Sequence, residues 1–238
     1  MKVSSEVSTE ILDTVVVASA LSGEEDLKPY LMQAAFRKAS RKMTLTFDAV
    51  KKLIALNPEV FTPERLAQTG LVLNSGFGEI EATGGFLKGL AESGVARPIF
   101  FQNSLHNSTT GFLAIQFGIR GPVFTVNHRT EGGHEALEIA STLINEGLCE
   151  FCLAVAVETV PVEFSGESGV DREGAAAVMF CSKATALKYD LPARLTEIEI
   201  AMEAAKKLKV ELPLKGLKSL LKFDLITRLA DTISEQSK

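Results

Sequence analysis

The chain has 238 residues, 46% hydrophobic and 23% charged, with no tryptophan and a formal net charge of −5. So apolar a composition excludes a disordered chain, and an acidic balance without a dense basic cluster excludes a nucleic-acid footprint. The mean hydropathy of +0.16 leaves surplus apolar surface, which predicts an oligomer.

The N-terminal "MKVSSEVSTEILD" lacks the apolar core of a signal peptide. No apolar run approaches the roughly 18 residues of a membrane span, so the expectation is a cytoplasmic protein without a membrane partner. "TVVVASA" (14–20) is β-branched and apolar and predicts a buried strand. Residues 27–56 read as helical, with Leu45, Ala49, Leu53 and Leu56 on one stripe. Within them "FRKASRK" (36–42) is the densest basic patch and reads as a solvated helix face. "TGLVLNSG" (69–76) predicts a second buried strand, and "GFGEIEATGGFLKGLAESG" (76–94) a glycine turn followed by a loosely packed helix. "RPIFFQNS" (97–104) predicts a short strand, "HNSTTGFLAIQFGI" (106–119) a helix, and "GPVFTVN" (121–127) a strand after a Gly-Pro turn.

"EGGHEALEIASTLINEG" (131–147) predicts an amphipathic helix with Leu137, Ala140 and Ile144 facing one way, stopped by Gly147. Strands are expected over 149–160, 174–182 and 193–202, and a leucine-faced helical tail over 203–238. Alternating strands and helices indicate a layered α/β/α domain, expected over 1–202, with 203–238 packed on it. Strands that read as continuous apolar runs predict a sheet covered on both faces.

The motifs exclude much chemistry. "GFGE" lacks the G-x-G-x-x-G and Lys-Ser/Thr of a phosphate loop and reads as a tight turn. The histidines His106, His128 and His134 form no H-x-x-x-H pair, and Cys149-Glu-Phe-Cys152 has no second pair, so neither a metal nor a cofactor is expected. The three cysteines, Cys149, Cys152 and Cys181, fit a reducing compartment and read as buried small hydrophobes. Asp171 and Glu173 read as solvated turn residues. "TVNHRTEGGHEAL" (125–137) is a strand-to-helix elbow, a common seat for a nucleophile, yet it holds neither Cys nor Ser.

Taken in order, "NSGFGEIEATGGFL", "NSLHNSTTGFLAIQFGIRGPVFTVNHRTEGGHEALEIASTLINEGLCEFCLAVAVET" and "DREGAAAVMF" resemble the N-terminal half of β-ketoacyl synthases, which have the thiolase fold. The likeness runs from Val15 to Phe180, and its nearest variant is the divergent ketosynthase-like subunit found with aryl polyene and polyketide synthases. Two departures follow. The family's nucleophilic cysteine aligns with Thr130 when counted from Gly121-Pro122 and with Arg129 when counted back from His134; neither is a cysteine. The family's later "H-G-T-G-T"-like and "N-x-x-F-G"-like segments, which supply the other two catalytic residues, have no counterpart in this sequence. Without a thiolate the acyl-transfer step has no visible carrier, since a threonine hydroxyl is barely ionised and Arg129 keeps its charge.

The resemblance therefore implies a half-length, non-catalytic chain-length-factor-like subunit. It would form a heterodimer with a full-length ketosynthase and meet an acyl carrier protein only indirectly. Phe77, Ile80, Glu81 and Gly84 would line the acyl tunnel, and Phe124, Val126 and His128 the partner interface, with ordinary core packing as the alternative for Phe77 and Phe124. Two other readings remain open at this point. One is a stand-alone acyltransferase or hydrolase using Thr130 with His128 or His134, with helix N-terminal donors for an oxyanion. The other is a homodimeric scaffold for carrier-protein docking.

Overall fold

The computed structural model describes residues 14–22, 24–30, 32–56, 58, 60–127, 132–159 and 174–191. Their strands are β1 (Thr14–Ser22), β2 (Gly70–Asn74), β3 (Val123–Val126), β4 (Phe151–Glu158) and β5 (Gly174–Ser182). Their helices are α1 (Arg41–Leu56), α2 (Pro63–Gln68), α3 (Ile80–Ser93), α4 (Pro98–Asn103), α5 (Ser108–Phe117), α6 (Gly132–Asn145) and α7 (Lys183–Lys188). The strands form one sheet in the order β1-β5-β4-β2-β3. β2 is parallel to both β3 and β4, whereas β5 runs antiparallel to β4 and to β1.

Side-chain alternation along the strands feeds two cores. Leu71, Leu73, Leu153, Val155, Ala177 and Met179 meet Leu45 and Leu53 of α1, Leu66 of α2 and Leu113 of α5. Their sequence neighbours Val72, Ala154, Ala156, Ala176 and Val178 meet Ala136, Leu137, Ala140 and Ile144 of α6. Helices thus cover both faces, which is why β4 needs no polar side and reads as a continuous apolar run. Burying each Leu or Val of this kind contributes about 1.5–3 kcal/mol. The family expectation of a layered α/β arrangement holds for the described residues.

Three local expectations are corrected. Residues 97–104 are not a strand: Pro98 occupies the first position of α4, Arg97 before it is extended, and Ser104 closes the turn. Proline presets the helical φ and forces its predecessor out of the helical region, which outweighs the β preference of Ile99-Phe100-Phe101. Residues 27–56 are not one helix. Two 3-10 turns (24–30 and 34–36) precede α1, separated by the extended Gln33. Ser40 then starts α1 by accepting a hydrogen bond from the Met43 N–H at 3.2 Å. The turns carry Tyr30 and Phe36 onto Phe47 of α1, and Phe36 onto Phe112 of α5. Finally, "FRKASRK" is only partly solvated, because Lys42 is buried in the first turn of α1.

The short helix α7 has no counterpart in the elements expected from sequence; Ser182 caps it by accepting from the Thr185 N–H at 3.0 Å. Gly147 does stop α6, with φ of 68°. The strand expected over 193–202, the helical tail over 203–238 and the boundary between them lie outside the described residues.

Candidate functional site

β2, β3 and β4 are parallel and end together, and the carboxyl ends of parallel strands are where α/β sheets place their ligands. β2 ends at Asn74 and turns through Ser75-Gly76-Phe77-Gly78-Glu79 into α3. β3 ends at Val126, and α6 begins six residues later at Gly132. Backbone and side chains stitch these ends together. The Ser75 N–H donates to the Val126 carbonyl at 3.1 Å, and the Gly76 N–H donates to Glu158 Oε1 at the end of β4.

Gly78 is required in the turn: its φ is +56°, and a Cβ there would come within 3.5 Å of the Asn127 side chain. Asn127 Nδ2 lies 2.5 Å from His106 Nδ1, which accepts when its proton is on Nε2. The "GFGE" segment is thus a packed strand-to-helix turn.

Glu79 is buried at the end of that turn. It accepts from Lys42 Nζ at 3.1 Å and from Thr109 Oγ1 at 2.7 Å, while Lys42 also donates to the Gly78 carbonyl at 3.0 Å. Both side chains of the ion pair are 3% exposed. Burial pushes the Lys42 ammonium below its ordinary pKa, with the Glu79 carboxylate pulling the other way. A cavity of about 280 Å³ opens beside the pair, walled by Lys42, Glu79, Ala82, Ile99, Phe100 and Thr159, with Arg37, Lys38 and Arg41 on its rim. Neither the pair nor the cavity was evident in the sequence, although both halves, "FRKASRK" and "GFGE", stood out separately. What joins them is the first turn of α1 meeting the turn that follows β2, with Lys42 and Glu79 37 residues apart in the chain.

The expected tunnel residues fall together on α3 and its turn. Phe77 is half-buried, whereas Ile80 and Gly84 are exposed and continue with Leu87 as one outward stripe at helical spacing. No heavy atom lies within 4 Å of a Cβ built on Gly84. Glu81 diverges from this stripe and faces Arg41 at 3.6 Å. On the opposite side of α3, Ala82 is buried and Gly85 packs on the Phe100 ring.

The expected interface residues lie on β3, which ends the sheet among the described residues. Phe124 is 45% exposed, and its neighbour Val123 39%. Val126 turns inward and packs against the α6 core. His128, Arg129 and Thr130 lie outside the described residues, as do Asp171 and Glu173; His134 falls in the first turn of α6.

All three cysteines stand at the other end of the sheet. Cys149 precedes β4, Cys152 pairs with Gly70 at the start of β2, and Cys181 pairs with Phe151 at the start of β4. The length of a five-residue strand, about 17 Å, separates them from the strand ends where the elbow emerges. Among the described residues no cluster of three His, Cys, Asp or Glu side chains could hold a metal ion, and no helix is long and apolar enough to cross a membrane.

No curated protein matches the sequence. Among solved structures the fold is similar to that of a chain in the ishigamide ketosynthase/chain length factor, with a TM-score of 0.62 at 17% identity over 72% of this chain and 63% of that one. It is similar also to a chain in the complex of the ketosynthase ApeO with its chain length factor ApeC from Xenorhabdus doucetiae (TM-score 0.54, 20% identity, covering 71% and 79%). A third likeness is to a chain in a type II polyketide synthase acyl-carrier protein complex with its ketosynthase bound to the hexaketide (0.59, 16%, covering 75% and 65%). The chain therefore spans less than two thirds of the first and third of these structures. Identities this low establish the fold, a thiolase-like ketosynthase architecture. The family model of the β-ketoacyl synthase N-terminal domain matches residues 55–225, and the chain belongs to that family.

Proposed function

We propose that this chain is a non-catalytic, chain-length-factor-like subunit. It pairs with a ketosynthase that carries the reactive cysteine, in polyene, polyketide or fatty acid biosynthesis. The observation that carries the reading is the position of its thiols. Condensation needs a thiolate to hold the acyl chain as a thioester, and the three cysteines of this chain cluster at the opposite end of the sheet from the elbow. The elbow itself contains His128, Arg129, Thr130 and Glu131 and no sulfur.

The surface around α3 and β3 supports the remainder. Among the described residues β3 is an edge strand, bearing half-exposed Val123 and Phe124, and pairing with a second subunit would satisfy that edge. The Ile80–Gly84–Leu87 stripe begins where Gly78 meets Asn127 at the end of β3, so the edge and the stripe form adjoining surfaces. A partner laid along β3 would roof the stripe and enclose a channel between the subunits, with Phe77 at its inner end and Gly84 leaving width for an acyl chain. Two of the three structural likenesses are to chains in assemblies of a ketosynthase with a chain length factor. The third includes an acyl-carrier protein, the indirect partner in this reading.

The test is co-expression with a cysteine-bearing ketosynthase and a carrier protein. The expected result is a one-to-one complex by size exclusion and product formation only when both subunits are present. An acyl group trapped on the isolated chain at Thr130, with turnover lost in Thr130→Ala, would overturn the reading in favour of a stand-alone acyltransferase. A homodimer indifferent to the ketosynthase would overturn it in favour of a docking scaffold.

A further inference from the structure

Cys149-Glu150-Phe151-Cys152 joins α6 to β4 at the end of the sheet remote from the elbow. Cys149 lies in the surface turn between exposed Leu148 and Glu150, with 7% of its own surface accessible; Cys152 is the second residue of β4 and fully buried. Both cysteines are buried, as the sequence suggests, but they also converge. A Cβ built on Gly70 would lie 2.9 Å from Cys149 Sγ and 3.1 Å from Cys152 Sγ. Gly70 is the register partner of Cys152 across the β2–β4 ladder, so its missing side chain is what gives the two sulfurs room to meet. Each thiol lies close enough to the other to shift its titration, and the Gly70 N–H acts on the Cys149 sulfur.

We propose that Cys149 and Cys152 are a redox modification site, a vicinal dithiol that closes to an intramolecular disulfide, with Cys149 the sulfur that meets the oxidant and Cys152 the one that resolves it. The co-reactant is a peroxide. The Cys149 thiolate attacks one peroxide oxygen, the O–O bond breaks and the departing hydroxide takes up a proton as water, leaving a sulfenic acid. The Cys152 sulfur then attacks the Cys149 sulfur. The S–S bond forms, the S–O bond breaks, and the hydroxide leaves with the Cys152 proton as a second water. One peroxide is reduced to two waters and two thiols are oxidised to one disulfide.

The asymmetry of the pair fits these roles. The neighbouring Cys152 thiol, aided by the Gly70 N–H, holds the Cys149 thiol below its ordinary pKa, while the same contact and burial push Cys152 up. Thiolate character at the outer sulfur of a C-x-x-C pair is what makes it the attacking one. Cys181 serves as an internal control: burial, with the Glu150 charge, pushes its thiol up to about 12.

The experiment treats the purified full chain with hydrogen peroxide and measures intact mass without reductant. The expected result is a loss of two hydrogens per chain, reversed by dithiothreitol, with the bond mapped between residues 149 and 152. In Cys152→Ser the reaction should stop at a Cys149 sulfenic acid that dimedone captures. In Gly70→Ala, where the new methyl reaches both sulfurs, disulfide yield should fall several-fold. Iodoacetamide labelling of the untreated wild type gives a readout that needs no variant: Cys149 should react ahead of Cys181, with a half-maximal rate below the pH of a free thiol. An unchanged mass after peroxide, or equal reactivity of Cys149 and Cys181, would overturn the proposal.

Discussion

Lys42 and Glu79 form a buried ion pair at 3.1 Å that pins the start of α1 to the turn after β2. Taking one partner away strands the other charge in a site almost closed to solvent. Lys42→Ala should therefore cost about 3–5 kcal/mol of stability, read from the midpoint of urea unfolding. Lys42→Met combined with Glu79→Leu should recover most of that loss, because an apolar pair of similar volume leaves no charge to desolvate.

Phe124 tests the edge strand without disturbing the core. It is half-exposed and has a solvent-facing neighbour in Val123, so Phe124→Glu should leave the thermal midpoint of the isolated chain nearly unchanged. The same change would bury a carboxylate in the proposed interface and should abolish one-to-one co-elution with a ketosynthase.

Gly84 and Phe77 test the channel. Among the described residues beyond its own helix backbone, no heavy atom lies within 4 Å of a Cβ at Gly84, so Gly84→Leu should fold normally. In a reconstituted pair it should shorten the product by narrowing the channel, and Phe77→Ala should lengthen it. Product length measured by mass spectrometry decides; unchanged length in both variants would remove α3 from the acyl path.

Gly121 is a packing test away from any site. A Cβ there would stand 2.4 Å from the Thr69 carbonyl oxygen, with backbone on both sides of the contact. Gly121→Ala must separate the β2 and β3 entries and should cost about 1–3 kcal/mol, seen as a lowered thermal midpoint.

Glu150 gives a pH signature. The Lys188 hydrogen bond holds its carboxyl below the ordinary carboxylate range against the opposing effect of burial, with smaller help from Tyr189. A depressed folded value means the stabilisation is fully present above the unfolded carboxylate pKa and is lost as pH falls through the folded one. The contacts are Lys188 Nζ at 2.7 Å and the Tyr189 hydroxyl at 3.1 Å, both on the surface, so the effect is small and screened by salt. Tyr30 and Tyr189 dominate the fluorescence of a chain without tryptophan. An acid transition in Tyr189 emission that disappears in Glu150→Gln is the expected readout.

The buried strands were legible because their environment is uniform: β2 and β4 are apolar at every position that helices cover, and α6 carries its stripe at Leu137, Ala140 and Ile144. That the elbow at 125–137 holds neither Cys nor Ser is read directly from its letters. α4 was not, because Ile99-Phe100-Phe101 is locally strand-like and only Pro98 and packing, with Phe101 against Phe86 at 5.7 Å, make it helical. The Lys42–Glu79 pair was illegible for a different reason. A salt bridge across 37 residues exists only once α1 has been laid over the sheet, and no local pattern announces it.

The flank of β3 that no other described strand pairs carries a consequence for the cell. Its N–H and C=O groups are a template for any passing extended segment, so molecules made in excess of whatever occupies that flank are candidates for self-association and for removal by proteases. Under the proposed pairing with a ketosynthase, abundance of this polypeptide should track stoichiometric synthesis of that subunit, and an orphan pool should be short-lived even where transcription is strong.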